Sequence, residues 1–94
     1  MVVGNGLVSL LEALCVATLE EGDSVLIPTP VFPGLVSAMS ARVQSKVVFA
    51  PACDHDRFRV TADGIFMALS RAAHAGQRDR AILLSSPGNP VGLV

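Results

Sequence analysis

Short apolar segments of strand length alternate with helical patterns along this chain, and this alternation constrains its fold more than any other feature. Each segment is apolar at successive positions, so each strand would place apolar side chains on both of its faces. The segments lie at 2–3, 24–27, 46–50 and 81–84, and the helical patterns lie at 7–19, 35–42 and 61–76. Strands of this kind, separated by helices, are typical of a parallel sheet with helices on both faces. We therefore predict an α/β fold.

Capping and proline signals predict where several elements begin and end. The apolar residues of the first helix cover most of its circumference, which predicts burial on nearly all sides, and Gly22 is suited to a left-handed cap after it. Pro28 is predicted to close the strand 24–27, and the three prolines of 28–34 predict an irregular loop. Thr61 is a favourable N-cap for the third helix, which has an acidic residue in its first turn.

The chain carries more apolar side chains than a domain of its size can bury. Hydrophobic residues make up 51% of the 94 residues and charged residues only 16%, whereas charged residues make up about 25% of typical soluble domains. A chain this short buries only somewhat over about 60% of the surface that its unfolded form exposes. We therefore expect that the chain is a fragment of a larger protein, whose other residues cover the surplus apolar surface.

Composition and charge also exclude several classes of partner. The longest dense apolar stretch, 7–19, is broken by Ser9 and Glu12, and it is shorter than the about 20 residues that a membrane span needs. A net charge of −1 with seven scattered Lys and Arg residues argues against nucleic acid. Cys15 and Cys53 do not make a disulfide framework. We expect a cytoplasmic chain that binds neither membranes nor nucleic acid.

Ligands of open parallel sheets bind beyond the carboxyl ends of the strands, and three unusual loops follow strands here. The first, Gly4 to Leu7, leads into a helix, so the amides of Gly6, Leu7 and Val8 would be unpaired donors suited to an anion such as phosphate. A tight turn that binds nothing is an equally open interpretation. The loop also nearly fits the dinucleotide-binding pattern G-x-G-x-x-G/A, but the acidic residue that this pattern requires is absent at 27–29.

The other two loops offer an aromatic ring and an amide. Phe32 stands in the proline-rich loop 28–34, where its ring could stack on a planar heterocycle or simply fill the core. Asn89 precedes Pro90 after the last strand, where its side chain could bind a ligand oxygen or form an ordinary turn. Both loops are therefore candidates for one ligand site at the same sheet edge.

Two further groups are interpreted without a functional role. Cys53, Asp54, His55 and Asp56 carry atoms that can bind metals, but adjacent residues in a polar loop rarely converge on one ion. We interpret that segment as a solvated loop. His74 near the end of the third helix is interpreted as a surface residue whose charge would suit the helix dipole.

Taken together, the three loops resemble a known family. The resemblance rests on Gly6-Leu7-Val8 with Glu12 on the following helix, on Gly22-Asp23 followed by Ile27-Pro28-Thr29-Pro30-x-Phe32-Pro33-Gly34, and on Pro87-x-Asn89-Pro90-x-Gly92. This pattern is similar to that of the class I/II aminotransferases, which are fold type I enzymes that use pyridoxal 5′-phosphate. It is similar in particular to the 1-aminocyclopropane-1-carboxylate synthases, and it covers essentially all 94 residues.

The resemblance implies roles for five cofactor-binding residues. The backbone amides of Gly6, Leu7 and Val8 would bind the cofactor phosphate, although family members usually carry a Thr or Ser near Val8. Phe32 would stack on the pyridine ring. Asn89 would hydrogen-bond the phenolic oxygen of the cofactor. These groups would position and tune the cofactor, which supplies the carbanion chemistry.

The resemblance also implies an arrangement of the sheet. The chain would be part of the large domain of fold type I, a parallel sheet with helices on both faces. The strand 24–27 should lie between 46–50 and 81–84. The strand at 2–3 should pair with later strands of the parent protein.

The implied function is that of an enzyme acting on a small-molecule amino-acid substrate, by transamination or by the elimination that closes a cyclopropane ring. The parent would be a homodimer. The family's Schiff-base lysine lies in a Ser-x-x-Lys segment well beyond Asn89, and the only lysine here, Lys46, does not match it. We therefore expect no catalytic residue in this chain and no activity from the 94 residues alone. A non-catalytic or truncated homologue that keeps the fold is the alternative.

Overall fold

Three parallel strands and three helices alternate along the chain in a computed structural model that describes residues 1–51 and 58–92. The elements are α1 (Leu7–Thr18), β1 (Asp23–Thr29), α2 (Pro33–Ser40), β2 (Lys46–Pro51), α3 (Ala62–His74) and β3 (Arg78–Ile82). This arrangement confirms the predicted α/β class. Among the described residues, no helix is both long enough and apolar enough to cross a bilayer.

The sheet has the order β2-β1-β3, so the strand predicted to lie in the middle does so. Both pairs are parallel, and β1 pairs with β2 from Ser24↔Lys46 to Thr29↔Pro51. The β1–β3 register runs from Asp23↔Arg78 to Leu26↔Ile82. All three carboxyl ends therefore lie at one edge, which is the edge where ligands of such sheets bind.

β1 supplies the centre of the core because helices cover both of its faces. Val25 and Ile27 pack in one cluster with residues of α1 and α2, and Leu26 packs in a second cluster with Ala68 of α3. All three β1 side chains are at most 1% exposed. Burying an aliphatic side chain of this size contributes about 1.5–3 kcal/mol, so β1 anchors the layers on both sides of the sheet.

The ends of α3 carry the local signals that the sequence predicts. The Thr61 side chain accepts a hydrogen bond from the Gly64 N–H at 3.1 Å, which confirms it as the N-cap. At the other end Gly76 has φ 73°, and the Gln77 N–H donates to the Ala72 carbonyl at 3.0 Å. This is the bond of a Schellman motif, in which a left-handed glycine ends the helix.

The prediction that α1 is buried on nearly all sides is wrong for the described chain. Leu11 and Cys15 are its buried residues, whereas Leu7, Leu14 and Val16 are 63%, 57% and 58% exposed. The helix packs through one side against α2 and β1. Nothing in the described part of the chain covers its outer side, so periodicity alone overestimated its burial. The helix also ends at Thr18, and Gly22 lies in the turn that follows.

The prolines disturb the chain less than predicted. Pro28 does not close β1 but pairs with Ala50 within it. Leu26 accepts a hydrogen bond from the Leu83 N–H on the β3 side, where the register with β3 ends. Backbone groups alternate sides along a strand, so the backbone nitrogen of Pro28 faces the β3 side, as the Leu26 carbonyl does. The register with β3 ends at Leu26, so no strand residue there needs the N–H that proline lacks. Pro33 begins α2, a position that suits its fixed φ, so 28–34 is irregular only in its centre.

Two strand predictions also differ from the structure. Residues 1–5 form no regular element, so the strand predicted at 2–3 is absent from the described chain. The strand predicted at 81–84 is found at Arg78–Ile82. Its first three residues are charged and carry no apolar signal, but an ion pair between Arg78 and Asp23 holds them beside β1.

That ion pair belongs to a charged cluster at the amino end of the sheet. The Asp23 carboxylate is 1% exposed and accepts hydrogen bonds from the Glu20 N–H at 2.9 Å and from the Arg78 Nε at 2.5 Å. A second nitrogen of Arg78 lies 3.0 Å from Glu20. The Glu20 N–H, followed by Arg78, lowers the pKa of Asp23 despite its burial. The carboxylate therefore remains ionised and ties the turn after α1 to β3.

Candidate functional site

A cleft of about 200 Å³ opens at the carboxyl edge of the sheet. Its walls come from the end of β1 and the loop after it, from the segment before α3, and from the segment after β3. The lining residues are Ile27, Pro28, Thr29, Pro30, Val31, Leu35, Phe58, Arg59, Val60, Leu83, Leu84, Ser85, Ser86, Gly88, Asn89 and Val91. The cleft is smaller than the about 300–1,000 Å³ typical of small-molecule sites, which suits part of a site better than a whole one.

The lining is mostly apolar and has a few polar groups in defined places. Thr29, Ser85, Ser86 and Asn89 provide hydroxyl and amide groups, and Arg59 is the one charged side chain among the described lining residues. Apolar walls with a small number of convergent polar groups are the usual composition of a ligand pocket. The arrangement can therefore hold a largely apolar or aromatic molecule that carries oxygen atoms and negative charge.

Asn89 is the predicted site residue that lines this cleft directly. It lies in a turn in which the Gly92 N–H donates to the Gly88 carbonyl at 2.5 Å and Gly92 has φ 72°. Glycine adopts this left-handed conformation without strain. The turn thus places an amide with two donors and one acceptor at the cleft wall.

Phe32 lies beside the cleft, immediately after the lining residue Val31. Its ring packs closely over Gly34, where an added Cβ would clash with the ring atom Cε1. The ring is nevertheless 45% exposed and is not part of the buried core. A glycine at this position in the first turn of α2 therefore leaves room for the ring, part of which stays exposed.

Gly6, Leu7 and Val8 lie at the beginning of α1 and are exposed. None of the three lines the cleft, so the structure brings Asn89 and the segment beside Phe32 together and leaves the start of α1 apart from them. α1 is held through Leu11 and Cys15, farther along the helix. The packing of the described chain therefore does not fix its first turn against the other two loops.

The first turn of α1 nevertheless has the features of an anion site. Gly6 is its N-cap with φ 83° and ψ 158°, and no side chain of the described residues caps the helix. Open space surrounds Gly6, since an added Cβ there would meet nothing within 4 Å. Uncapped first-turn amides of a helix are donors that favour an anion.

Sequence reasoning missed the segment 58–60, which supplies one wall of the cleft. No role is assigned to it from the sequence alone. Topology offers the signal that could have found it: β2 ends at the carboxyl edge and α3 begins there, so the connection between them must stay near that edge. The short alternation Phe58-Arg59-Val60 before the N-cap Thr61 is consistent with a segment that contacts a surface.

The remaining candidates give no second site among the described residues. Cys53, Asp54, His55 and Asp56 lie outside the described residues. Within residues 1–51 and 58–92, no group of three or more potential metal ligands occurs. The His74 ring nitrogen lies 2.7 Å from the Ser70 carbonyl on an exposed helix face. Burial raises the pKa of the Cys15 thiol, which contacts the Met39 sulfur at 3.4 Å inside the core.

Comparison with known proteins gives a consistent result over the whole chain. The family model described as "Aminotransferase class I and II" matches residues 1–94. A "probable aminotransferase" of Arabidopsis thaliana and a 1-aminocyclopropane-1-carboxylate synthase of Oryza sativa subsp. indica are each 33% identical over 92 residues. Each alignment covers 98% of this chain and 19% of the relative. A "probable inactive" 1-aminocyclopropane-1-carboxylate synthase-like protein of Mus musculus is 31% identical over 100 residues, which cover 98% of this chain and 17% of that protein.

Solved structures agree in fold. An aromatic aminotransferase from Pyrococcus horikoshii has a TM-score of 0.68 and 30% identity, and the match covers 89% of this chain and 21% of that one. An alanine aminotransferase from Pyrococcus furiosus has a TM-score of 0.73 at 23% identity, with coverage of 93% and 20%, and so supports the fold alone. The chain spans 17–20% of the length of the curated relatives it matches.

Proposed function

The chain belongs to the class I and II aminotransferases and has part of their fold type I architecture, and from this premise we propose that it is part of a pyridoxal-phosphate-dependent enzyme acting on amino acids. Residues 1–94 would form a piece of its large, cofactor-binding domain. The observation that carries this proposal is the cleft at the carboxyl edge of the sheet, lined by the asparagine that the family pattern identifies. The reaction would be transamination or the elimination that closes a cyclopropane ring.

The residues present fit a planar, phosphorylated cofactor. Bound pyridoxal 5′-phosphate would supply an electron sink for carbanion chemistry at the amino acid. The uncapped amides of Gly6, Leu7 and Val8 would bind its phosphate, because the start of a helix favours a negative group. Val8 contributes no hydroxyl, so this chain offers one hydrogen bond fewer than relatives with Thr or Ser there.

Phe32 and Asn89 would hold the ring of the cofactor. The exposed part of the Phe32 ring, braced on Gly34, is available to stack on a heterocycle. The Asn89 amide N–H would donate to the phenolic oxygen, which favours the ionised oxygen and fixes the orientation of the ring. The apolar residues of the cleft would pack against the cofactor ring between these two groups.

The position of Lys46 supports the proposal that the catalytic lysine comes from outside this chain. Lys46 pairs with Ser24 at the amino end of the sheet, whereas the cleft lies beyond Thr29. Five residues of strand separate the two positions along β1, which corresponds to about 16 Å at about 3.3 Å per residue. We therefore propose that the 94 residues bind and orient the cofactor but do not turn over substrate alone.

The test is a titration of the whole protein with pyridoxal 5′-phosphate, followed by the visible absorbance of the bound cofactor. We expect saturable binding, weaker binding of pyridoxal, which lacks the phosphate, and turnover of at least one amino acid. Asn89→Ala should weaken binding by about 10-fold or more, because a hydrogen bond to a charged oxygen contributes about 1.5–3 kcal/mol. Absence of any binding by the whole protein would refute the proposal.

A non-catalytic homologue that keeps the cofactor fold is the second candidate. Val8 favours it, since the phosphate site lacks a side-chain hydroxyl there, and so does the similarity to a relative named as "probable inactive". The two candidates differ in one measurement. That measurement is a screen of the whole protein with the twenty standard amino acids as donors and a set of keto acids as acceptors. A protein that binds pyridoxal 5′-phosphate but turns over none of them would be the non-catalytic form.

A further inference from the structure

Arg59 is a charged residue that neither the family pattern nor the proposed function uses. It lines the cleft between Phe58 and Val60, and it is the only charged side chain among the described lining residues. Arg59 is exposed, so solvent screens its charge in part, but it is a cation at the rim of a mostly apolar cleft. It therefore favours ligands that carry negative charge.

The backbone next to Arg59 is anchored on its C-terminal side, where Thr61 caps α3 through the Gly64 N–H. On its N-terminal side Phe58, which is 50% exposed, has φ 49°, a left-handed conformation that an aromatic residue rarely adopts. The cap limits the conformational freedom of the segment on one side, which reduces the conformational entropy lost when Arg59 binds a ligand.

The group that Arg59 would bind has a defined chemistry. The segment after β3 contributes Ser85, Ser86 and Asn89 to the lining of the same cleft. Their hydroxyl and amide groups can donate hydrogen bonds to oxygen atoms. A guanidinium fork together with such donors matches the oxygen atoms of a carboxylate or a phosphate.

We propose that Arg59 binds an anionic oxygen group of the small molecule that fills the cleft. This inference rests on the proposed function and makes it more specific. The group would be the phosphate of the cofactor or the side-chain carboxylate of a dicarboxylic amino acid. A phosphate and a carboxylate both present the anionic oxygen atoms that a guanidinium binds. Replacing Arg59 would weaken the binding of pyridoxal 5′-phosphate in the first case and of L-glutamate in the second.

The test compares Arg59→Gln with the unchanged whole protein in two arms. The first arm measures the dissociation constants of pyridoxal 5′-phosphate and pyridoxal by absorbance. The second measures those of L-glutamate and L-glutamine by calorimetry on the cofactor-loaded protein. We expect Arg59→Gln to weaken the anionic probe of one arm by about 10-fold or more while its neutral counterpart changes by less than about twofold. Arg59→Lys should restore part of the affinity, because it keeps the charge without the fork.

Arg71→Gln is the matched control, because Arg71 is an exposed arginine on α3 and does not line the cleft. It should leave all four dissociation constants unchanged. An Arg59→Gln protein with unchanged affinity for all four probes, or with equal losses for anionic and neutral probes, would overturn the inference while leaving the proposed function intact. If the unchanged protein bound neither form of the cofactor, the proposed function would fail and this inference with it.

Discussion

The helices α1 and α3 are almost equal in length but differ in how their ends are satisfied. α3 has a threonine N-cap, an acidic residue in its first turn and a glycine Schellman motif at its end. α1 has a glycine N-cap, no side-chain cap and no acidic residue in its first turn. A helix whose ends are capped by its own residues requires no ligand, whereas an uncapped, exposed first turn is available to an anion.

The outer sides of the two helices are alike in exposing apolar side chains. Leu7, Leu14 and Val16 of α1 are 63%, 57% and 58% exposed, and Phe66 and Met67 of α3 are 70% and 60% exposed. Apolar side chains exposed in this way mark surfaces that another segment can cover. The contrast between the two helices therefore lies in how their ends are capped and not in their outer sides.

The largest expected effect comes from Gly6→Ala at the beginning of α1. At φ 83° and ψ 158° the backbone of Gly6 is in a region that is essentially restricted to glycine. A side chain there should cost about 1–3 kcal/mol of unfolding free energy and displace the first-turn amides of the proposed phosphate site. We expect reduced stability in urea denaturation and a large loss of affinity for pyridoxal 5′-phosphate.

Gly22→Ala is the matched control for that change. Gly22 also has φ 83°, and an added Cβ there would meet nothing within 4 Å, as at Gly6. It lies in the turn after α1, at the end of the helix that is remote from the first turn. We expect a similar loss of stability with unchanged cofactor affinity. Equal losses of affinity in both variants would show that the start of α1 is not a phosphate site.

Thr61→Ala tests the other side of the comparison. The Thr61 side chain accepts the Gly64 N–H at the start of α3, so its removal leaves that donor without its cap. Loss of such a cap costs about 1 kcal/mol, within about 0.5–2 kcal/mol. Thr18→Ala in the last turn of α1 removes only an exposed bond to the Leu14 carbonyl, and it should change the unfolding free energy by less than about 0.5 kcal/mol. Comparable losses in urea denaturation would contradict the contrast between the two helices.

The difference between the helices also explains what the sequence could predict. The ends of α3 follow from Thr61 and Gly76 because capping depends on neighbouring residues, and the strand order followed from the family pattern. The burial of α1 could not be predicted, because it depends on which segments cover the helix. The start of β3 at Arg78 was missed because a long-range ion pair with Asp23, and not an apolar pattern, holds it.

The candidate site shows the same division. Asn89 was predicted to be at the cleft from a local motif after a strand, and the structure places it in the lining. Arg59 was missed because its position depends on how the chain between β2 and α3 returns to the carboxyl edge. The return follows from the strand topology, and the short alternation at 58–60 alone does not identify it. Site residues in local motifs are therefore easier to predict than lining residues that a long connection brings to the site.

Val8→Thr should sharpen the contrast by improving the first turn of α1. A hydroxyl at this position can donate to a phosphate oxygen, and an added hydrogen bond contributes about 0.5–1.5 kcal/mol. We expect the dissociation constant of pyridoxal 5′-phosphate to fall by about 2- to 10-fold in absorbance titrations. Val16→Thr is the control, because Val16 is also exposed on α1 but lies two turns farther along. An equal gain from Val16→Thr would exclude a direct contact at Val8.

The last prediction concerns the acid limit of stability at the turn that joins α1 to the sheet. The Glu20 N–H and Arg78 lower the pKa of Asp23 in the folded chain, so ionisation of Asp23 stabilises the fold above the ordinary Asp value of about 3.9. This stabilisation is lost as the pH falls through the lowered folded value. Between about pH 5 and pH 7 the Asp23 carboxylate is ionised in both the folded and the unfolded chain, so the urea midpoint should not depend on its protonation. Below about pH 4 the midpoint of the unchanged protein should fall more steeply with acidification than that of Asp23→Asn. Asp63→Asn, at the exposed start of α3, is the control. An acid-side slope that Asp23→Asn leaves unchanged would show that the charged cluster does not hold the turn after α1 to β3.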